Sequence, residues 1–362
     1  MAKKFRQYRV ARKIRESEII TSFELEPTDG EALAPALPGQ YLPLRIPGPD
    51  GATLRNYSLS CNVASPERYR VTIKREAAPA NLPDAPHGIA SCYMHDQVSE
   101  GDEITAMAPR GVFYLDQDST RPVVLLSGGV GLTPMVSMLH SLAGTDRPVW
   151  FIHACENGAV HALRDEVLEL GQAENATVHF AYRVPHEADH ANGHFHSEGV
   201  ITRETLQSLL PLDDYEVYMC GPTPFMRAMY QLLQTLGLDK ERINYEFFGP
   251  SDSLDAPSAP IAEAPATEPA PQPAKATGEN TVTFAKSGIT VDWDDSAESL
   301  LDLAEKAGLE PEFSCRTGIC NTCLCNISDG EVDYFEDPLD DPDPGEVLLC
   351  CSRPKSAVIL DL

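Results

Sequence analysis

The sequence predicts a multidomain chain in which an antiparallel β-barrel is followed by an α/β domain with a parallel sheet and by a small α+β domain of the β-grasp type. Three observations lead to this prediction. Short β-rich runs punctuated by Gly and Pro fill residues 1–117, and strands alternate with helices over residues 118–250. Two strands, a helix and a tight cysteine cluster then follow within residues 278–362. The Pro-, Ala- and Glu-rich residues 251–277 are predicted to be a linker.

Each domain is predicted from its own pattern of short segments. The barrel strands are expected at residues 40–46, 55–60, 69–74 and 102–106, with no long helical period among them. In the α/β domain, strands are expected at 122–127, 149–153, 178–182 and 216–220, and helices at 135–142, 163–170 and 225–236. In the last domain, strands at 280–285 and 289–293 precede a helix over 297–307, with Ser296 as its N-cap and Gly308 as its C-terminal stop.

Composition and charge exclude several function classes. The net charge of −27 argues against a nucleic acid as partner, and 19 Asp and Glu against 5 Lys and Arg make residues 278–362 strongly acidic. No apolar run approaches 18 residues and the N-terminus lacks the apolar segment of a signal peptide. We therefore expect a cytoplasmic protein with no membrane partner, whose ten cysteines serve metal or redox chemistry. The early Lys and Arg residues are interpreted as the solvated face of a first strand, with a docking patch as the alternative.

The cysteine cluster carries the most specific chemical signal. Cys315, Cys320 and Cys323 have the C-x4-C-x2-C spacing of a plant-type [2Fe–2S] cluster, and the pair Cys350–Cys351 lies downstream for the fourth thiolate. Gly318 lets the backbone approach the cluster closely because it has no Cβ atom. A redox disulfide or half of a zinc site is the alternative for the Cys320-x-x-Cys323 segment.

Two Gly-rich turns follow predicted parallel strands. In the first, residues 127–134, Thr133 is expected to cap the next helix and Pro134 to occupy its first position. The second turn, residues 220–225, has the same pattern with Thr223 as the cap. Either turn alone could be an ordinary βα connection, but two such turns at the carboxyl ends of parallel strands predict a dinucleotide crevice.

The segment Arg55–Ser58 on a barrel strand is suited to holding a flavin. Arg55 can pair with a phosphate, and Tyr57, two residues on, lies on the same face of the strand and can stack on a flat ring. Ser58 offers a hydroxyl to a ring nitrogen. The alternative interpretation of this segment by itself is an unremarkable polar strand.

Together these motifs resemble the ferredoxin–NADP reductase superfamily. Over residues 1–250 the closest likeness is to the reductase half of flavohaemoglobins, extended by the segments 72–76, 88–91, 93–96, 108–113, 153–158 and 248–250. Residues 278–362 resemble a plant-type ferredoxin fused at the C-terminus, as in reductases of Rieske oxygenases and of hybrid cluster proteins.

The resemblance implies a set of cofactor residues. Those expected to bind FAD, preferred over FMN because of the segment 88–91, are Arg55, Asn56, Tyr57, Ser58, Lys74, Gly88 and Ser91. Those expected around NAD(P)H are Gly128, Gly129, Gly131, Thr133, Cys220, Gly221 and Pro222, with Phe248 or its neighbour Phe247 covering the flavin. The expected cluster ligands are Cys315, Cys320, Cys323 and Cys350, since Cys350 matches the ligand of similar reductases and Cys351 would point to the opposite face of a strand.

The implied function is electron transfer from NADH through FAD and the [2Fe–2S] cluster to a separate acceptor protein, with no acid–base residue required. We expect the acceptor to be a Rieske-type oxygenase component, with a hybrid cluster protein or another nitrosative-stress acceptor as the alternative and a metal-binding adaptor as the non-enzymatic one. NADH is preferred because no basic cluster is placed for a 2′-phosphate, although Arg183 leaves NADPH as the alternative. We interpret His186, His190, His194 and His196 as solvated loop residues, and Cys155 as a small buried residue.

Overall fold

The structure is a computed structural model of the chain that falls into two compact units, Met1–Phe248 and Gly249–Leu362. The residues it describes are 5–48, 51–77, 87–248, 254, 281–293, 297–309, 311, 313, 318, 323–336, 338 and 342–362. The expected linker at 251–277, apart from residue 254, and the expected ligands Cys315 and Cys320 lie outside the described residues.

The first unit begins with a six-stranded antiparallel sheet in the order β4-β3-β6-β1-β2-β5. Its strands are β1 (Arg6–Arg15), β2 (Ile20–Pro27), β3 (Tyr41–Gly48), β4 (Gly51–Ser58), β5 (Tyr69–Lys74) and β6 (Glu103–Ala106). Leu59, directly after β4, bridges Val71 on β5, so the two edges of the sheet meet. This contact between the two edges confirms the predicted barrel.

The barrel core is apolar and its first strand is solvated, as the sequence predicts. Alternate inward positions such as Tyr8, Val10 and Phe23 are fully buried. On the outer side, Arg9 pairs with Glu26 and Arg12 with Glu24. Arg6 is half-buried on the same side of the strand as Tyr8, lies over the Tyr8 ring and pairs with Asp29. The sequence gives no sign of helix α1 (Ile89–Asp96), whose buried face packs on the barrel core. Tertiary packing explains this short helix better than local propensity, because isolated helices of this length are unstable.

The second half of the first unit is a parallel sheet in the order β10-β9-β8-β7-β11-β12. Its strands are β7 (Val123–Gly128), β8 (Val149–Cys155), β9 (Ala176–Tyr182), β10 (Ser197–Glu198), β11 (Glu216–Cys220) and β12 (Ile243–Glu246). Its helices are α2 (Leu132–Leu142), α3 (Arg164–Leu170), α4 (Glu187–Asn192), α5 (Arg203–Leu209) and α6 (Thr223–Thr235). Every residue of β7 and β11 is buried, which explains the continuous apolar runs.

Both predicted helix caps in this domain are wrong. A 3₁₀ turn at Gly129–Gly131 leads directly into α2, so Gly131 is the N-cap, Thr133 is the second helical residue and Pro134 the third. The Thr133 hydroxyl instead donates to the Val130 carbonyl oxygen at 3.1 Å. In α6, Thr223 is already the first residue and Pro222 is the N-cap. Helix α2 begins early because the 3₁₀ turn before it already has helical geometry, whereas α6 begins directly after the extended residue Pro222.

An ion-pair network joins the barrel to the parallel-sheet domain. Arg70 on β5 donates to both carboxylate oxygens of Glu166 on α3, each at 2.7 Å, and His140 on α2 lies 2.6 Å from the same carboxylate. Burial by itself raises the pKa of Glu166, but the hydrogen bonds from His140 and Arg70 outweigh it and hold that pKa at about 2. The carboxylate is therefore charged and held by residues of both domains.

The second unit contains a five-stranded sheet in the order β14-β13-β19-β15-β17 and a two-stranded sheet of β16 and β18. Its strands are β13 (Thr281–Phe284), β14 (Ile289–Asp292), β15 (Leu324–Asp329), β16 (Val332–Tyr334), β17 (Glu346–Leu348), β18 (Ser352–Pro354) and β19 (Val358–Leu360). The first strand pairs in parallel with the last, and helix α7 (Leu300–Lys306) buries its apolar side in the core of this unit. This is the predicted β-grasp arrangement.

Helix α7 is shorter than predicted and has a different cap. Its N-cap is Ser299, whose hydroxyl accepts the Asp302 N–H at 3.2 Å, whereas the expected cap Ser296 lies outside the described residues. Gly308, at φ +82°, follows the helix as its predicted C-terminal stop. Throughout the described part of the chain, no helix has the length and apolar character needed to cross a membrane.

Replacing the carboxylate of the inter-domain network tests its contribution. Glu166→Gln is expected to lower the free energy of unfolding of the first unit by about 1–3 kcal/mol at pH 7, because Arg70 loses its charged partner. Because the pKa of Glu166 is lower in the folded than in the unfolded state, its carboxylate stabilises the fold fully at pH values above the unfolded pKa of 4.5. The difference in unfolding free energy between wild type and Glu166→Gln should therefore shrink as the pH falls from 4.5 towards 2. Thermal unfolding, followed by circular dichroism, measures both effects. The exposed Glu169→Gln on the same helix is the control, and equal curves for the two variants would contradict the prediction.

Candidate functional site

Strand β4 places Arg55, Tyr57 and Ser58 beside β3, where Ser58 is opposite Tyr41 and Arg55 is opposite Leu44. Arg55 is exposed, and its guanidinium donates to the Thr53 hydroxyl and to the Leu54 carbonyl oxygen, each at 2.7 Å. Asn56 and Tyr57 are half-buried. Arg55 and Tyr57 therefore share one side of the strand, with the charged group outermost.

Ser58 has a buried hydroxyl that lacks a hydrogen-bond partner among the residues the structure describes. The residue is only 4% exposed, and a buried hydroxyl without a partner is costly. Burial also raises the pKa of the neighbouring Tyr57 phenol, so that ring stays neutral. A neutral aromatic ring and an unused hydroxyl at one strand end fit a flat heterocycle with a polar edge, such as a flavin.

The end of β5 and the start of α1 meet around Glu76. Lys74 pairs with the Glu76 carboxylate at 3.0 Å, and the Glu76 carbonyl oxygen accepts the Gly88 N–H at 2.8 Å. The Ser91 hydroxyl accepts the Glu76 N–H at 3.1 Å and donates to the Gly88 carbonyl oxygen at 3.3 Å. Gly88 is the N-cap of α1, and a Cβ there would lie 2.7 Å from Ser91 Oγ. Ser91 therefore positions this turn with a hydroxyl that is already engaged.

The two Gly-rich turns touch each other at the ends of adjacent strands β7 and β11, where Ser127 pairs with Cys220. A Cβ on Gly131 would lie 2.3 Å from the Cys220 carbonyl oxygen, and one on Gly221 would lie 3.0 Å from the Gly128 nitrogen. Gly129 differs, because its φ is +54° and a Cβ there would meet nothing within 4 Å. Two glycines thus permit close packing of the turns, while Gly129 borders open space.

Beyond these turns lies a buried carboxyl group that the sequence analysis missed. Glu246 ends β12 opposite Cys220, and its Oε2 atom is buried without a hydrogen-bond partner in the described part of the protein. Burial raises the pKa of Glu246 to about 8 and also raises the pKa of the fully buried Cys220 well above its usual value. An acidic residue directly before Phe247–Phe248 was the available signal, but only the strand register shows that it adjoins Cys220.

Of the remaining expected residues of this region, two are at the surface and one is buried. Pro222 is exposed as the N-cap of α6, Thr133 is buried within α2, and Phe248 is 46% exposed after β12. Phe247 contacts Tyr245, with ring centroids 5.7 Å apart. A large aromatic ring this exposed at the end of a strand is suited to covering a flat ligand.

In the second unit, the described cysteines gather around a backbone loop. The Gly318 N–H lies 3.3 Å from Cys350 Sγ, and the Cys350 N–H lies 3.4 Å from Cys323 Sγ. Cys323 and Cys350 are 3% and 4% exposed. Gly318 has φ +67°, and a Cβ there would lie 2.8 Å from Cys351 Sγ, so only glycine fits. Sulfur atoms that accept backbone N–H groups are the arrangement found around iron–sulfur clusters.

The strand argument against Cys351 is wrong. Strand β17 ends at Leu348, and Leu349–Cys351 form a 3₁₀ turn, so neighbouring side chains do not alternate between two faces there. The Cys351 thiol is fully buried and lies 3.8 Å from the Leu348 carbonyl oxygen. Cys325 is buried in the core of the unit.

The four histidines of residues 186–196 do not form a plain loop. His186 precedes helix α4, His190 lies within it, and both are exposed, as is His196. His194 is half-buried and lies 3.3 Å from an Asp189 carboxylate oxygen. The prediction of solvated side chains is therefore right for three of them, whereas the absence of helical structure is wrong.

Comparisons with known families match both halves of the chain. The model of the oxidoreductase NAD-binding domain matches residues 125–231, and that of the 2Fe-2S iron-sulfur cluster binding domain matches residues 282–355. Over 258 residues the chain is 43% identical to a flavohemoprotein from Bacillus thuringiensis subsp. konkukian (strain 97-27), covering 70% of this chain and 63% of that protein. The chain thus spans less than two thirds of that relative's length.

Two solved structures have related folds. The flavohem-like FAD/NAD-binding domain of nitric oxide dioxygenase from Vibrio cholerae O1 biovar El Tor is 34% identical with a TM-score of 0.60, over 68% of this chain and all of that one. Phthalate dioxygenase reductase is 24% identical with a TM-score of 0.56, over 99% of this chain and 98% of that one. The second likeness concerns the fold and extends through both units.

The buried carboxyl group predicts an unusual dependence of stability on pH. Because the folded-state pKa of Glu246 lies above the unfolded value of 4.5, the folded chain holds a proton that the unfolded chain loses. The free energy of unfolding should therefore fall as the pH rises from 4.5 to about 8. Glu246→Gln is expected to remove this dependence on pH. At pH 8 its free energy of unfolding should be higher than that of wild type by on the order of 1–3 kcal/mol. Chemical denaturation between pH 5 and 8.5 measures it, with exposed Glu241→Gln as control; parallel curves for wild type and Glu246→Gln would refute it.

Proposed function

The chain belongs to the ferredoxin reductase family of FAD- and NAD-binding oxidoreductases and carries a C-terminal [2Fe–2S] domain, and on this premise we propose that it reduces the oxygenase component of a Rieske-type monooxygenase or demethylase. Electrons from NADH enter at FAD and leave through the iron–sulfur cluster. The cofactors carry out the hydride and electron transfer, so the task of the protein is to bind them and hold them in position.

One observation carries the choice of acceptor. The fold likeness to phthalate dioxygenase reductase runs through both units in the same order, from the barrel to the [2Fe–2S] domain. That protein's name connects it with a dioxygenase. The acidic excess of residues 278–362 supports docking of this domain on a basic face of a partner, where charge complementarity speeds association.

Strand β4 and the turn before α1 would hold FAD. The Ser58 hydroxyl has no hydrogen-bond partner among the described residues, so it would hydrogen-bond the polar edge of the isoalloxazine beside the neutral Tyr57 ring. Exposed Arg55 would pair with the pyrophosphate, next to Asn56. Lys74 and Gly88 would border the second phosphate segment, where Ser91 fixes the backbone. When bound, FAD would accept two electrons from NADH and pass them on one at a time.

The paired glycine turns would hold the dinucleotide. Gly129 borders open space at the start of α2, so pyrophosphate oxygens could approach the backbone there, while Gly128 and Gly131 keep the turns packed. Thr133 would support the turn through Val130 and would not contact the ligand. Cys220, Gly221 and Pro222 would flank the nicotinamide, with exposed Phe248 covering the flavin until nicotinamide arrives. Glu246 would keep the buried side of this site uncharged at neutral pH.

The cluster would be held by Cys323 and Cys350 together with Cys315 and Cys320. Cys350 is favoured over Cys351 because its sulfur accepts the Gly318 N–H and its own N–H points to Cys323 Sγ. Cys351 would pack beneath Gly318, where a Cβ would clash with its sulfur.

A second acceptor class is supported by a different observation. The first unit is 43% identical to the matching part of a flavohemoprotein, which favours a partner in the chemistry of nitrosative stress, such as a hybrid cluster protein. The chain matches only part of the flavohemoprotein, so the activity of that protein is not assigned to this chain. The adaptor alternative has no support once the chain is placed in an oxidoreductase family.

Coupled turnover separates the two acceptor classes. With the complete chain, NADH and a purified Rieske-type oxygenase component, we expect product formation that slows as salt rises from 50 to 500 mM, because the acidic domain docks electrostatically. Cytochrome c reduction serves as the control for an active chain. Faster reduction of a purified hybrid cluster protein, with no oxygenase turnover, would overturn the proposal and favour the alternative.

Removing the unused hydroxyl tests the flavin site. Ser58→Ala is expected to retain FAD but to slow flavin reduction by NADH by about 10- to 100-fold, the effect of one lost hydrogen bond of roughly 1.5–3 kcal/mol to a charged group. Anaerobic stopped-flow absorbance measures the rate. Ser137→Ala on α2 removes another buried hydroxyl that has no partner in the described part of the chain; it lies outside the site and should leave the rate unchanged. Equal rates for both variants would contradict the role of Ser58.

A matched pair of variants tests the fourth cluster ligand. Cys350→Ser is expected to abolish the electron paramagnetic resonance signal of the reduced cluster, because the position loses its thiolate. Cys351→Ser should keep the signal and one [2Fe–2S] cluster per chain by iron and sulfide analysis. Loss of the signal in Cys351→Ser alone would exchange the two assignments.

A further inference from the structure

Behind the first glycine turn, three potential metal ligands gather at the carboxyl end of β8. His153 and Cys155 lie on β8, and His161 follows the short 3₁₀ turn at Gly158–Val160. One ligand atom from each residue lies within 4.8 Å of the other two. None of the three has a part in the cofactor sites described above. From the sequence, Cys155 is expected to be a small buried residue. Its approach to the two histidines depends on the fold of residues 156–161 and therefore has no local sequence signal.

Both histidines have one nitrogen held and the other unused. His153 Nδ1 lies 2.9 Å from Ser127 Oγ, and His161 Nδ1 lies 2.8 Å from the Tyr182 hydroxyl oxygen. The Nε2 atoms of both rings are buried and lack hydrogen-bond partners among the described residues. Metal-binding histidines have this arrangement, with one ring nitrogen fixed by a second group and the other directed at the ion.

Burial favours neutral, ligand-competent rings. His153 and His161 are 0% and 4% exposed, and their ring centroids are only 4.6 Å apart. Two charged imidazoles at this distance would repel each other, and desolvation lowers both pKa values. Each neutral ring still has a buried Nε2 atom that requires a hydrogen-bonding or metal partner.

We propose that His153, Cys155 and His161 form a buried zinc site. Two imidazole nitrogens and a thiolate are a ligand set that suits Zn²⁺, with water in the fourth position. Zinc–ligand bonds of about 2.0–2.3 Å place ligand atoms about 3.3–3.8 Å apart, so a side-chain movement of about 1 Å completes the site. Binding of Zn²⁺ displaces the Cys155 thiol proton to solvent, which balances the step.

An entry path for a cation is present. His161 and Gly158 border an open cleft of about 320 Å³ in the first unit. The cleft is lined by three carboxylates and one guanidinium, from Glu16, Asp165, Glu166 and Arg164. Because Arg70 and His140 already pair with Glu166, and Arg164 pairs with Asp165, Glu16 is the cleft carboxylate that remains to attract a cation to the side of His161. The ion would tie the end of β8 to the turn that follows it, directly beside Ser127 and the first glycine turn.

Zinc binding is tested on the complete chain loaded with FAD and its iron–sulfur cluster. After equilibration with micromolar Zn²⁺ and removal of loose metal, we expect one more zinc per chain in wild type than in Cys155→Ala or His161→Phe. Cys92→Ala, which removes a half-buried cysteine of the barrel, should retain the zinc. Zinc should also raise the unfolding temperature of wild type and Cys92→Ala but of neither site variant. Equal zinc in all four proteins, or none in wild type, would overturn the proposal; the latter result would assign the site to a bridging water.

X-ray absorption at the zinc edge provides a measurement that needs no variant. The zinc of wild type is expected to show two nitrogen ligands at about 2.0 Å and one sulfur ligand at about 2.3 Å. A shell made only of sulfur would place the metal in the cysteine cluster of the second unit and would overturn the assignment. The flavin content of each variant, measured by absorbance, shows that its first unit is folded.

Discussion

The first unit depends on a backbone contact that is too close for any residue other than glycine. Gly131 packs directly against the Cys220 carbonyl group, and a Cβ there would lie 2.3 Å from its oxygen. This approach holds the turns after β7 and β11 together at the carboxyl ends of neighbouring parallel strands. The dinucleotide crevice proposed for the chain lies at this junction, as expected for open α/β sheets. The position of Cys220, and with it that of Glu246, follows from the same contact.

Four buried polar groups without a partner among the described residues lie at the proposed sites, whereas others, such as the Ser137 hydroxyl, lie elsewhere. The Ser58 hydroxyl, the Glu246 carboxyl and two histidine nitrogens are all buried with unused hydrogen-bonding capacity in the described structure. Such groups cost stability unless something pairs with them, so each marks a place where the protein awaits a ligand or holds a proton. The ion pairs of the barrel surface and the Arg70–Glu166 pair show the opposite case, in which charges are fully matched.

Much of the fold could be predicted from the sequence because its signals are local. Runs such as Val123–Leu126 are apolar at every position, which only a strand buried on both faces requires, and the cysteine spacing indicates a cluster loop. The errors concern details that local patterns do not determine. Thr133 resembles a helix cap, but the preceding 3₁₀ turn already begins the helix. Glu246 and the His153–Cys155–His161 group could not be predicted, because strand register and chain reversal bring their partners together.

The central claim is that one chain accepts hydride from NADH and delivers the electrons to its own [2Fe–2S] cluster. Anaerobic titration with NADH, followed by absorbance and electron paramagnetic resonance, tests it most directly. A flavin takes two electrons and the cluster one, so full reduction should require about 1.5 NADH per chain and produce a [2Fe–2S] signal. Complete bleaching of the flavin by one equivalent, with the cluster still oxidised and no signal, would contradict the account.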